Sequence, residues 1–168
     1  MTAAVPSVSP IAAFVFAAIV APTAIAQSAA VTERTISIGA AQDAAAAALE
    51  QCHKDGFRVT ITVVNRSGQI KAVLRDDGTG PHTVENSFRK AYTSLTFRVP
   101  SGDLGRRPTG TLGVMAPMQL ANITSGEGAL PIRSNNEVIG AIGVSGAPGG
   151  DKDLVCAQAG IDKIAGDL

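Results

Sequence analysis

Side chains that hold metals are scarce in this chain of 168 residues, which has two histidines, two cysteines, one tyrosine and three methionines. Among His53, His82, Met115, Met118, Tyr92, Cys52 and Cys156, no pair has the spacing of a zinc site. An excess of one charge is also missing, since 14 basic residues face 14 acidic ones. Nothing in the sequence resembles the footprint of a nucleic-acid binder, which needs a clustered positive face. The densest basic run, Arg106-Arg107, lies between Gly105 and Pro108 and reads as a solvated loop. The glycine motifs are incomplete as well. Gly143, Gly146, Gly149 and Gly150 do not fit G-x-G-x-x-G, and Asp151 stands where a phosphate loop requires lysine. "GVSGA" lacks the last glycine of G-x-S-x-G, and no histidine follows Ser145 to act as base.

One apolar run is present. Ile11–Val20 has the length of a signal-peptide core, too short to span a bilayer, and Ala24-Ile25-Ala26 supplies a small-x-small cleavage pattern. No Lys or Arg precedes the run. Residues 1–26 are expected to be a signal peptide, with an uncleaved interfacial anchor as the alternative. The mature protein would then be periplasmic or secreted, with no membrane association after cleavage. Removing residues 1–26 of 168 leaves 142, enough for one domain with its own core. Residues 27–36 read as a flexible leader and 37–168 as the domain. In an oxidising compartment the two cysteines favour a Cys52–Cys156 disulfide; the alternative is two separate buried thiols.

Within the domain the patterns change with position. The alanine-rich stretch after Ser37 predicts a helix with Ile38, Ala41, Ala45, Ala48, Leu49 and Cys52 on one face, ended by Gly56. Val59, Ile61 and Val63 alternate with Thr60 and Thr62, and a turn at Asn65, Ser67 and Gly68 leads into a returning strand from Ile70 to Arg75. A second helix is predicted over Thr83–Leu95, capped by Thr83, with Val84, Phe88, Ala91 and Leu95 as its apolar stripe. Residues 98–128 are irregular, apart from an apolar piece from Met115 to Ile123 that can turn helical. Strands follow at Leu130–Arg133 and Val138–Val144, then a helix from Asp151 to Ala165. The order predicts an antiparallel sheet covered by helices.

His82, in "DDGTGPHT" between a strand and a helix, sits where a loop side chain can meet a ligand. One histidine with an open position is enough to hold a haem iron, provided that a hydrophobic slot accepts the macrocycle.

"VVNRSGQIKAVLRDDG", "FRKAYTS" and above all "GALPIRSNNEVIGAIGVSGAPGGDKD" resemble the GlcG/HbpS-like haem-binding family. The resemblance runs from about Thr35 to Ile164, with "GAPGGDKD" and the two cysteines similar to its exported branch. It departs from the family at Asn65, Ala129 and Asn136, all at turns. It implies a profilin-like α/β/α fold with a five-stranded antiparallel sheet, and a homo-oligomer. It also implies haem as the ligand; His82 is then expected on the iron, with Arg75 near a propionate, since arginine pairs bidentately with carboxylates, and Thr83 beside the cofactor. Since no acid–base constellation is visible, binding without turnover is expected. The alternatives are an accessory module for another small molecule and a haem-degrading enzyme.

Overall fold

The structure is a computed structural model that describes residues 1–2, 29–106 and 117–168. The chain divides into Met1–Thr32 and Glu33–Leu168, and every described helix and strand lies in the second unit. The expected signal segment, apart from its first two residues, and Met115 lie outside the described residues.

Helix α1 (Ile38–Lys54) starts at Ser37, whose hydroxyl accepts the Ala40 N–H at 3.2 Å. Strands β1 (Thr60–Asn65) and β2 (Ile70–Arg75) form the expected hairpin, turned by Asn65, whose Oδ1 accepts the Ser67 and Gln69 amides. Helix α2 (His82–Phe97) follows, then the short α3 (Gly102–Arg106). Short 3-10 turns span Pro117–Gln119 and, after the last helix, Ala165–Asp167. Strands β3 (Ala129–Ser134) and β4 (Glu137–Ser145) and helix α4 (Gly150–Ile164) complete the domain.

The sheet is antiparallel with order β2-β1-β4-β3. It has four strands among the described residues, not the five that the family resemblance implied. Two described segments approach the sheet without forming a further strand. On the outer side of β3, Ala129 exchanges two bonds with the amide and hydroxyl of Ser101, and Pro131, two residues on, has no N–H to offer in that direction. The extended segment before α1 makes one backbone bond to β4, Ile36 N to Ile139 O at 3.1 Å, before Ser37 turns the chain into the helix.

Helices α1 and α4 cover one face of the sheet. Ile61, Val63, Ile142 and Val144 point into this layer against Ala41, Ala44, Ala48 and Ala157. The helices approach closely, for a Cβ on Gly160 would lie 2.5 Å from the Ala44 carbonyl oxygen. Cys52 and Cys156, both fully buried, join them with Cα atoms 5.5 Å apart.

Helix α2 covers the other face and departs from expectation. It begins at His82 rather than at a Thr83 cap, and Thr83 lies inside the helix with its hydroxyl bonded to Gly80 O and Thr60 Oγ1. Its buried face is Thr83, Ser87, Lys90, Ala91, Thr93 and Ser94, while Val84, expected in an apolar stripe, is exposed. The sheet dictates this. On that side β1 presents Thr60 and Thr62, which bond Thr83 at 2.7 Å and Ser87 at 2.8 Å. Gly143 of β4 admits the helix backbone, since a Cβ there would lie 2.2 Å from Ser87 O. Buried hydroxyls on one surface require hydroxyls on the other.

Candidate functional site

At one end of the sheet β1 and β3 begin, β2 and β4 end, and α2 and α4 start. The loops joining them enclose a cleft of about 670 Å³, within the range of small-molecule sites. Phe57, Arg58, Thr79, Gly80, Glu127 and Ala147 contribute to its walls from these loops. Phe57 and Ala147 are the lining residues with apolar side chains other than glycine; most of the others are polar or charged.

Helix α2 supplies one wall. His82, Asn86 and Lys90 recur every four residues and therefore share a helix face. They run from an exposed residue, through a half-buried one, to a buried one. His82 has no hydrogen bond or ion pair with the described residues. Its ring lies over Gly80, where a Cβ would meet the ring at 2.8 Å. Asn86 Nδ2 donates to Ser145 Oγ at 2.9 Å. Lys90 Nζ donates to Asp153 Oδ2 at 2.7 Å and to Val144 O at 3.0 Å.

The Lys90–Asp153 pair ties α2 to the first turn of α4 across the end of β4, with both side chains buried. Asp153 Oδ1 also accepts the Ala147 amide at 3.1 Å. Burial pushes the Asp153 carboxyl above the ordinary carboxylate range, against the opposing pull of Lys90. Gly128 leaves the pair its space. Its φ is +129°, and a Cβ there would lie 2.8 Å from Lys90 Nζ and 2.7 Å from Asp153 Cβ. Glu127, beside it, is held by Arg106 at 2.6 Å, which also grips Asp103 at 2.6 Å.

The β2–α2 loop is anchored from outside the cleft. His53, at the end of α1, meets Asp76 Oδ2 at 2.6 Å. Although burial acts to raise the Asp76 carboxyl, bonds from His53 and the Asp77 amide and the charge of Arg58 hold it below its ordinary value. Arg75, expected at a cofactor, does not line the cleft; its guanidinium is bonded to the Thr79 carbonyl and braces the same loop. The arginine on the cleft wall is Arg58, bonded to Asp77 O at 3.1 Å. Of the three expected cofactor residues, His82 and Thr83 therefore line the cleft and Arg75 does not.

Sequence reasoning missed Arg58, Thr79, Asn86, Lys90 and Asp153. A signal for two of them was present: with His82, Asn86 and Lys90 form a polar line at helical spacing, passed over in favour of the apolar residues beside it.

A polar cleft at the end of a helix-covered antiparallel sheet, where two helices begin, places this chain among small three-layer α+β domains. It belongs to the HbpS-like family, whose model, described as "Haem degrading protein HbpS-like", matches residues 36–162. Protein GlcG of Escherichia coli strain K12 is 33% identical over 110 residues, covering 60% of this chain and 73% of that protein. The crystal structure of a double mutant of Streptomyces reticuli HbpS is 29% identical with a TM-score of 0.75, covering 94% of this chain and 97% of that one. A PduOC–haem complex is 20% identical with a TM-score of 0.70, over 77% of this chain and 95% of that one, and shares the fold.

Proposed function

We propose that this protein binds haem at the cleft, with His82 as the iron ligand. The observation that carries this is His82 itself, an exposed imidazole at the cleft mouth with neither nitrogen engaged by the described residues. An iron-ligating histidine needs one free nitrogen and an approach from solvent, and His82 has both. The family description and the haem complex of a protein with the same fold support the choice of ligand. Haem, when bound, supplies the redox chemistry of its iron. The chain's own residues position it: His82 holds the metal, Arg58 rather than Arg75 meets a propionate, and Phe57 offers an apolar contact. The reading remains one of binding without turnover. Export from the cytoplasm belongs to it, supported by the Cys52–Cys156 bond, which suits an oxidising compartment.

Titration of the protein with hemin is expected to give a saturable Soret band that shifts or weakens in His82→Ala. No saturable band in the native protein rejects the haem reading, whereas an unchanged spectrum in the variant rejects only the ligand. Adding a reductant and oxygen to the complex separates binding from degradation, because decay of the bound-haem spectrum would establish turnover.

A further inference from the structure

The inner part of the cleft holds more hydrogen-bond donors than the protein uses. Thr79 is 5% exposed and lines the cleft, yet its Oγ1 has no hydrogen-bond partner. Lys90, also 5% exposed and lining the cleft, spends two of its three N–H groups, on Val144 O and Asp153. The third has no partner among the described residues. Helices α2 and α4, of 16 and 15 residues, both start at this cleft, and neither has a side-chain cap bond at its N-terminus. Their first residues, His82 and Gly150, are part of its lining. Arg58 adds a guanidinium with one of its five N–H groups bonded, and its nearest carboxylate contact is Asp76 at 3.9 Å.

The acidic residues of the lining are already engaged. Asp153 is bound by Lys90 and Glu127 by Arg106. Glu85 and Asp151, in the first turns of the two helices, lie outside the lining of this cleft. A surplus of donors remains, with Arg58 the lining cation whose nearest carboxylate is no closer than 3.9 Å. Buried donors of this kind call for an acceptor-rich partner. Because Lys90 is already paired with Asp153, the compact charge of a carboxylate matches better than a multiply charged phosphate.

We propose that the inner end of this cleft is a carboxylate subsite, formed by Thr79 in the loop before α2 and Lys90 two turns into α2, with the exposed Arg58 at its outer edge. This rests on the reading of the cleft as the binding site, not on the ligand being haem. The carboxylate can come from a haem propionate or from a free small organic acid.

Two sets of titrations on the full chain test this. Acetate, succinate and inorganic phosphate are compared by calorimetry, and hemin is compared with hemin dimethyl ester by the Soret band. The subsite predicts saturable binding of acetate or succinate ahead of phosphate, or a clear preference for hemin over its ester. Thr79→Val, which keeps the side-chain shape, is expected to weaken that binding about tenfold without lowering the melting temperature. Arg58→Gln, on the surface, is expected to weaken it in the same direction. Carboxylate binding without a Soret band leaves the subsite standing and rejects haem. A Soret band of equal affinity for hemin and its ester, with no response to acetate or succinate, rejects the subsite and leaves haem standing. Carboxylate affinity unchanged in both variants overturns the assignment to these residues.

Discussion

Lys90 and Asp153 show how much one buried contact can carry. Lys90 closes the sheet end by bonding a strand carbonyl and a helix carboxylate together. Removing one partner of a buried ion pair strands the other, at a cost of about 3–5 kcal/mol. Lys90→Met is therefore expected to lose about that much stability at neutral pH, measured by urea unfolding. The pH dependence follows from the direction of the Asp153 shift. A carboxyl raised in the folded state contributes stability that is fully present below its ordinary value of about 3.9 and is lost as pH rises through its folded value. Without Lys90 the protonated form of Asp153 becomes the one the interior tolerates. The deficit of Lys90→Met should shrink as pH falls towards about 4, and a deficit independent of pH would contradict the assignment of the cost to the stranded carboxylate. Neither residue could be assigned from sequence to this contact. They are 63 positions apart, and only the packing of α2 and α4 around the end of β4 makes them neighbours.

At the scale of the element, α2 shows where periodicity misleads. Its sequence carries an apolar line and a polar line, and an amphipathic helix is ordinarily read with the apolar line inward. The β1 surface beneath it buries much of the polar line as well, because alternation places Thr60 and Thr62 on the α2 side and Ile61 and Val63 on the other. Of the apolar line, Ala91 is buried, Phe88 and Leu95 pack beside it and only Val84 is exposed. Thr62 depends on Ser87 for its one hydrogen bond, whereas Ser87 also donates to Val84 O at 3.1 Å. Ser87→Ala should cost about 1–3 kcal/mol by orphaning the Thr62 hydroxyl. Adding Thr62→Val should recover part of that loss in the double variant; additive losses in the chemical melts would show that the hydroxyl pair is not what matters. Helix α3 was not foreseen, since its residues read as irregular and Arg106 as part of a solvated loop, but most of the other elements were legible. The Ser37 cap, the Asn65 turn and the β-branched alternation of β1 are local signals, and the structure follows them within a residue or two.

For the whole molecule, the disulfide and the cleft stand at opposite ends of what can be foreseen. Cys52 and Cys156 close a separation of 104 residues between the first and last long helices. The chain-entropy account assigns such a loop about 4–5 kcal/mol, and removal of native disulfides commonly costs about 2–5 kcal/mol. The Cys52→Ala/Cys156→Ala variant is expected to lose a figure in that range in guanidinium melts. Thiol counting on the denatured native protein should find none free; two free thiols would refute the bond in the isolated protein.

The residues by themselves determined the long elements to within a residue or two, the antiparallel class and the place of His82 between a strand and a helix, and they favoured the pairing of the cysteines. Most of these rest on propensity, alternation and short-range turn chemistry, carried by neighbours in the chain; the cysteine pairing rests on there being two cysteines and no third. Tertiary structure alone decided that the described sheet has four strands, that α2 buries much of its polar line, and that Arg58 rather than Arg75 reaches the cleft. It also decided that Thr79, Lys90 and Asp153 share one cleft. Each of these depends on which surface a segment meets, and that is set by the packing of helices and loops around the end of the sheet.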